Sequence, residues 1–162
     1  MKTAIVYYSM LGNTDYAVNK IKNAIDCDVI RLTPEKAYPD KGFKKFLWGG
    51  KSAVMGEKPR LLPYRFEYDK YDRVIFGTPV WASSFAPPLR TFIEENRGGL
   101  KGKDFSLIMC CSGGGTDKVT EKLKKALGVD SLTAQVTLID PKDKPSEENE
   151  SKIKEFITKL KG

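Results

Sequence analysis

The most constraining feature of this chain is a regular alternation. Five short apolar runs each end in a turn, and apolar residues at helical spacing follow most of them. The runs are residues 3–8, Cys27 to Leu32, Val74 to Gly77, Phe105 to Cys111 and Ala134 to Ile139. Between and after them, Ala17, Ile21, Ala24 and Ile25 mark one amphipathic helix and Leu89, Phe92 and Ile93 a second. Val119, Leu123, Ala126 and Leu127 mark a third, closed by Gly128, and Ile153, Phe156, Ile157 and Leu160 a fourth, with Ser146 as its N-cap. Pro87 and Pro88 fit the first turn of the second helix, where a missing N–H does no harm. Such alternation predicts an α/β fold: a doubly wound, five-stranded parallel sheet of order 2-1-3-4-5 with helices on both faces. Ligands of such sheets sit outside the carboxyl ends of the strands, in the crevice between strands 1 and 3 where the winding reverses.

The first run ends in Tyr8-Ser9-Met10-Leu11-Gly12-Asn13-Thr14, directly before the first helix. The opening N–H groups of a helix lack intrahelical acceptors and the macrodipole is positive there, so a phosphate finds donors without a cationic side chain. Ser9, Asn13 and Thr14 add side-chain donors, and Gly12 permits close approach. The same residue types also serve an ordinary capped turn. Neither a lysine-serine or lysine-threonine pair after a second glycine nor a three-glycine dinucleotide fingerprint is present, which disfavours an ATPase or a conventional NAD-binding fold.

The 162 residues suit one domain, 1–162. No apolar run approaches the roughly 18 residues of a membrane span, and no signal-peptide pattern opens the chain; a soluble, cytoplasmic protein is expected, with no membrane partner. Histidine is absent, which removes the usual metal ligand and general base; no metal site and no catalytic side chain are assigned. Cys27, Cys110 and Cys111 match neither a zinc nor a dithiol spacing and read as buried thiols.

The net charge is +7 and the pI about 9.2. Between Asp40 and Arg60, six basic residues (Lys41, Lys44, Lys45, Lys51, Lys58, Arg60) face two acidic ones, a patch for an acidic partner, for a nucleotide phosphate, or simply a solvated face. Nucleic acid is disfavoured, because the aromatic residues form no stacking motif. The stretch 33–72 is too long for an ordinary connection. It is expected to be helix-like around Phe43, Phe46, Leu47 and Val54 and to return irregularly through Pro63, acting either as the second crossover or as a lid.

Two further loops leave the same sheet edge: Thr78-Pro79-Val80-Trp81-Ala82 and Ser112-Gly113-Gly114-Gly115. Trp81 offers a broad π surface or, alternatively, a core ring, and the glycines let main chain approach a ligand. With Ser9-Met10-Leu11-Gly12-Asn13-Thr14, these segments resemble the three cofactor loops of the flavodoxin-like family of FMN proteins, and flavodoxin itself is a known instance of the 2-1-3-4-5 order. The resemblance covers nearly the whole chain. It implies FMN as cofactor, its phosphate held by the first loop and its ring bracketed by the other two, and low-potential electron transfer between redox protein partners. The alternative it leaves open is an NAD(P)H-dependent FMN or quinone reductase. The chain departs from the family in three ways. Ala82 stands where many members have glycine and is expected to resist positive φ; the third loop lacks the tyrosine that often covers the second ring face; and the charge is basic, so an acidic redox partner is expected.

Overall fold

The computed structural model describes residues 1–39 and 50–162. Five strands pair in parallel: β1 (Thr3–Tyr7), β2 (Cys27–Arg31), β3 (Arg73–Trp81), β5 (Asp104–Cys111) and β6 (Ala134–Ile139). Their spatial order is β2-β1-β3-β5-β6. A two-residue strand, β4 (Ser84–Phe85), pairs antiparallel with the end of β3. With that hairpin set aside, the order is the expected 2-1-3-4-5.

The period of two along each strand divides the core. On β1, Ala4 and Val6 face one side and Ile5 and Tyr7 the other; Phe76 and Ile75 on β3, and Leu107 and Ile108 on β5, split in the same way. The first face is covered by α2 (Pro87–Glu95) and α3 (Thr116–Leu127), through Leu89, Phe92, Val119 and Leu123. The second is covered by α1 (Asn13–Lys22) and α4 (Glu147–Lys161), through Val18, Ile21, Ile153 and Phe156. The central strands β1, β3 and β5 are buried on both faces, which accounts for their nearly unbroken apolar runs, while the edge strands β2 and β6 are only partly buried. Each fully buried Phe or Leu contributes on the order of 2 kcal/mol of transfer free energy, so the two layers hold the sheet between them.

The helix boundaries follow local chemistry. Ser146 Oγ accepts the Asn149 N–H at 3.1 Å, and Gly128 closes α3 with φ 72°. Ala24 and Ile25, expected within the first helix, lie beyond it. Their N–H groups bond back to the Ile21 carbonyl at 2.9 and 3.2 Å in a tighter final turn, and Ile25 still packs on the same core. Among the described residues no helix is long and apolar enough to cross a membrane.

The segment between β2 and β3 does two things. Phe43, Phe46 and Leu47 lie outside the described residues. Residues 50–54 are helical, but Val54 is 69% exposed rather than packed in the core. The return leg is tied to the exit of β2 by a Pro34–Leu61 bridge and a 2.8 Å bond from the Leu62 N–H to the Thr33 carbonyl. It then lays Tyr64 and Phe66 against Phe92, with centroids 5.5 and 5.0 Å apart. This leg is scaffold. By contrast, Tyr38 packs beside Trp81 and Gly50 lines the cleft at the sheet's carboxyl edge.

One close approach sets the height of α1. Gly77 is opposite Tyr7, and a Cβ there would stand 2.8 Å from Tyr7 Cβ, 3.3 Å from Thr14 Cγ2 and 3.4 Å from Val18 Cγ2. The bare strand lets the first turns of α1 rest almost on its backbone. We expect Gly77→Ala to lower stability by about 1–3 kcal/mol, since strand and helix must separate to admit the methyl; an unchanged denaturant midpoint would contradict this.

Candidate functional site

At the carboxyl ends of β1, β3, β5 and β6 the structure has a cleft of about 370 Å³. Its lining comes from three loops named in the sequence, from Gly50 of the long connection after β2, and from one loop that was not named.

The first loop is Ser9 to Thr14. Gly12 is the N-cap of α1 with φ 97°, a left-handed conformation natural to glycine, and offers no side chain to cap the helix. Among the described residues, the N–H groups of Met10, Leu11, Gly12, Asn13 and Thr14 meet no acceptor, whereas the Asp15 N–H donates to Ser9 Oγ at 3.2 Å. A run of free main-chain donors at the positive end of a helix is the cradle expected for an anion. The loop is braced from below. Arg31, at the end of β2, donates to the Ser9 carbonyl at 3.2 Å and pairs with Asp15 at 3.3 Å, and Tyr7 Oη donates to Asp15 at 2.6 Å. Burial, and then the Asp15 carboxylate, pushes the Tyr7 phenol well above its ordinary range, so it stays a donor.

The second loop departs from expectation. Thr78, Pro79, Val80 and Trp81 are not loop but the continuation of β3, held straight by β4, with Val80 opposite Phe85 and Trp81 opposite Ser84. Ala82 and Ser83 form the two-residue turn, both left-handed with φ 48° and 56°. The expectation that Ala82 would resist positive φ is overturned. A tight hairpin matched to strand twist requires positive φ at both central residues, and the hairpin imposes it. Thr78 is fully buried away from the cleft: its hydroxyl donates to the Pro79 carbonyl and accepts the Ala86 N–H, each at 2.8 Å, thereby shaping the turn.

Trp81 lines the cleft and is not a core ring. Tyr38, from the segment after β2, and Tyr8 pack edgewise against it, with centroids 5.2 and 5.6 Å away. An aromatic wall from the long connection thus stands beside the second loop.

In the third loop, Ser112 lines the cleft with Cys110 and Cys111. Gly113 and Gly114 are open to solvent, and Gly115 caps α3 so close to the hairpin that a Cβ would lie 2.7 Å from Ser83 Oγ. The structure therefore brings Ser9, Met10, Leu11, Asn13, Thr14, Pro79, Val80, Trp81, Ala82 and Ser112 to the cleft, while Gly12, Thr78, Gly113, Gly114 and Gly115 shape the loops around it. Cys110 and Cys111 are buried, as expected, whereas Cys27, also expected to be buried, is only half-buried. Burial pushes the Cys110 thiol up to about 12, and raises Cys111, whose Sγ donates to the Gly113 carbonyl at 2.7 Å.

Sequence reasoning missed the exit of β6. Asp140, Asp143 and Lys144 line the cleft, with Asp140 at φ 38°. Ser112 Oγ donates to Asp140 at 2.8 Å and Lys144 pairs with it at 3.1 Å. A non-glycine residue in the left-handed region, directly after a strand, carried no signal in composition or spacing.

Two outcomes test this geometry. Ala82→Gly relieves left-handed strain of about 1–2 kcal/mol against a glycine entropy loss of about 0.5–1 kcal/mol, so the variant should be slightly more stable in a thermal melt; a loss of stability would mean the turn is not left-handed. At neutral pH, iodoacetamide should leave Cys110 unlabelled in the native protein and label it after denaturation, because a raised pKa and burial both withhold the thiolate; rapid native labelling would contradict this.

A sequence model of the family described as Flavodoxin matches residues 2–156. Among solved structures, the chain is similar to a flavoprotein from Lactobacillus acidophilus NCFM in complex with FMN, with 18% identity over 96% of this chain and 97% of that one and a TM-score of 0.74. It is similar also to two-electron reduced flavodoxin from Megasphaera elsdenii (18% identity, 97% and 96% coverage, TM-score 0.59). A third likeness is to the Trp repressor binding protein from Bacillus subtilis (16% identity, 98% and 99% coverage, TM-score 0.61). At these identities the likeness is one of fold.

Proposed function

Since the chain belongs to the flavodoxin family, we propose that it is an FMN-dependent carrier that passes electrons at low potential between redox protein partners. The observation that carries this reading is the run of unpartnered main-chain N–H groups from Met10 to Thr14, opening onto a cleft walled by Trp81. It fits a phosphate joined to a flat ring. Bound FMN supplies the electron chemistry.

The protein's own part is to hold the cofactor and bias its energies. The main-chain amides of residues 10–14 take the phosphate, supported by the positive end of α1. The Trp81 ring and the Pro79–Val80 edge provide an apolar wall that disfavours extra negative charge on the ring, which lowers the potential. The carboxylates of Asp140 and Asp143 at the cleft margin push the same way. Both are engaged by neighbours: Asp140 is bound by Ser112 and Lys144, and Asp143 accepts from Asn13 at 2.9 Å. With no histidine in the chain, the usual proton-transfer side chain is missing, which favours a carrier over a reductase that must protonate its substrate.

The basic charge suits an acidic redox partner. Lys41, Lys44 and Lys45 lie outside the described residues, while Lys58 and Arg60 each lie 3.9 Å from a carboxylate, of Glu94 and Glu35 respectively.

An anaerobic titration of the FMN-loaded protein separates the readings. A carrier is reduced in steps by dithionite and bleached only slowly by NADH or NADPH. Rapid direct bleaching by either nicotinamide would overturn the carrier reading in favour of an NAD(P)H-dependent flavin or quinone reductase.

A further inference from the structure

The loop after β6 makes a set of contacts with the first loop that the binding scheme above does not use. Asn13 Oδ1 accepts the Lys142 N–H at 2.9 Å and the Asp143 N–H at 3.4 Å, while Asn13 Nδ2 donates to Asp143 Oδ2 at 2.9 Å. The Asn13 side chain is therefore committed to joining the two loops, which are some 130 residues apart in sequence. Lys142 Nζ then reaches over the turn. It donates to the Leu11 carbonyl at 3.0 Å and lies 3.0 Å from where a Cβ on Gly12 would stand.

Resting on the FMN reading, we propose that residues 140–144 form a fourth cofactor loop, and that the Lys142 ammonium is a phosphate-recognising group that makes the site select FMN over riboflavin. The ammonium adjoins Gly12, the N-cap of α1, next to the residues that line the cleft but outside that lining, so it acts on a bound phosphate through its charge. It carries three donors, of which the Leu11 carbonyl takes one. Its electrostatic surroundings leave it available. Asp15 is held by Tyr7 and Arg31, Asp140 by Ser112 and Lys144, and Asp143 by Asn13; the nearest of these carboxylates to Lys142 Nζ is Asp143, at 3.9 Å. Lys142 hydrogen-bonds a neutral carbonyl and has its carboxylate, Asp143, only at 3.9 Å, whereas Arg31 and Lys144 hold theirs at 3.3 and 3.1 Å. A dianionic phosphate presents a stronger acceptor than that carbonyl. The Lys142 side chain is 52% exposed, so solvent screening keeps its contribution modest.

The test is a flavin-fluorescence titration of the cofactor-free protein with FMN and with riboflavin, at low and physiological salt, for wild type, Lys142→Met and Lys142→Arg. The expected result is that Lys142→Met weakens FMN binding about 3- to 10-fold, leaves riboflavin binding unchanged and flattens the salt dependence for FMN, while Lys142→Arg retains the preference. Equal weakening of both flavins would overturn the proposal, because the residue would then only hold the loops together. FMN affinity untouched by Lys142→Met would overturn it as well. A wild-type protein that binds neither flavin would instead sink the FMN reading itself.

Discussion

Gly77 lets a helix touch a strand, and the site depends on that contact. With only hydrogen on its α-carbon, β3 admits Thr14 and Val18 of α1 against its backbone, directly beside Tyr7 of β1. The first turn of α1 is thereby lowered to the level where β1 and β3 end. Its free N–H groups meet the cleft instead of riding above it. Thr14, 1% exposed, is the side chain that locks into this seat, and it also lies against the Cys110 thiol of β5. The anion cradle is thus anchored to three adjacent strands and is not a free loop.

The rest of the cleft is organised by satisfied polar groups. Thr78 spends its hydroxyl on the main chain of its own hairpin, Arg31 and Tyr7 on bracing the first loop, and Asn13 on joining the first and last loops. Side chains occupied in this way brace the main chain and leave the amides of residues 10–14 as the free donors among the described residues of the first loop. Such an arrangement is economical in a chain without histidine: the protein contributes shape, dipoles and a low-dielectric wall, and reactive chemistry comes with the cofactor. The long connection after β2 divides its labour similarly. Tyr64 and Phe66 complete the core over Phe92, while Tyr38 stands edge-on to Trp81 beside the cleft.

Much of this was legible in the order of residues. Strands buried on both faces must be continuously apolar, as at Ala4 to Tyr7, and helices covering one face must repeat at 3.6 residues, as at Val119 and Leu123, so class, order and crevice followed from pattern alone. Ser146, Gly128 and Pro87 announced helix ends because their chemistry acts within a few residues. Less legible was whatever depends on a partner strand or a distant loop. Thr78 to Trp81 read as a loop because the hairpin that straightens them lies two residues ahead, and Ala82 read as intolerant of positive φ because propensity ignores the turn that compels it.

The sequence by itself determined the alternation, the winding, and the sheet edge at which the cleft opens, since hydrophobic periodicity and helix-end chemistry are local and additive along the chain. Only the tertiary structure decided which polar atoms remain free to bind. Asn13 looked like a phosphate ligand until its amide was found on Lys142 and Asp143, and Lys142 had no visible role until folding set its ammonium beside Gly12. Hydrogen-bond satisfaction is a property of the whole packed arrangement: a donor's availability depends on acceptors brought near it from far along the chain, and no window of sequence contains both.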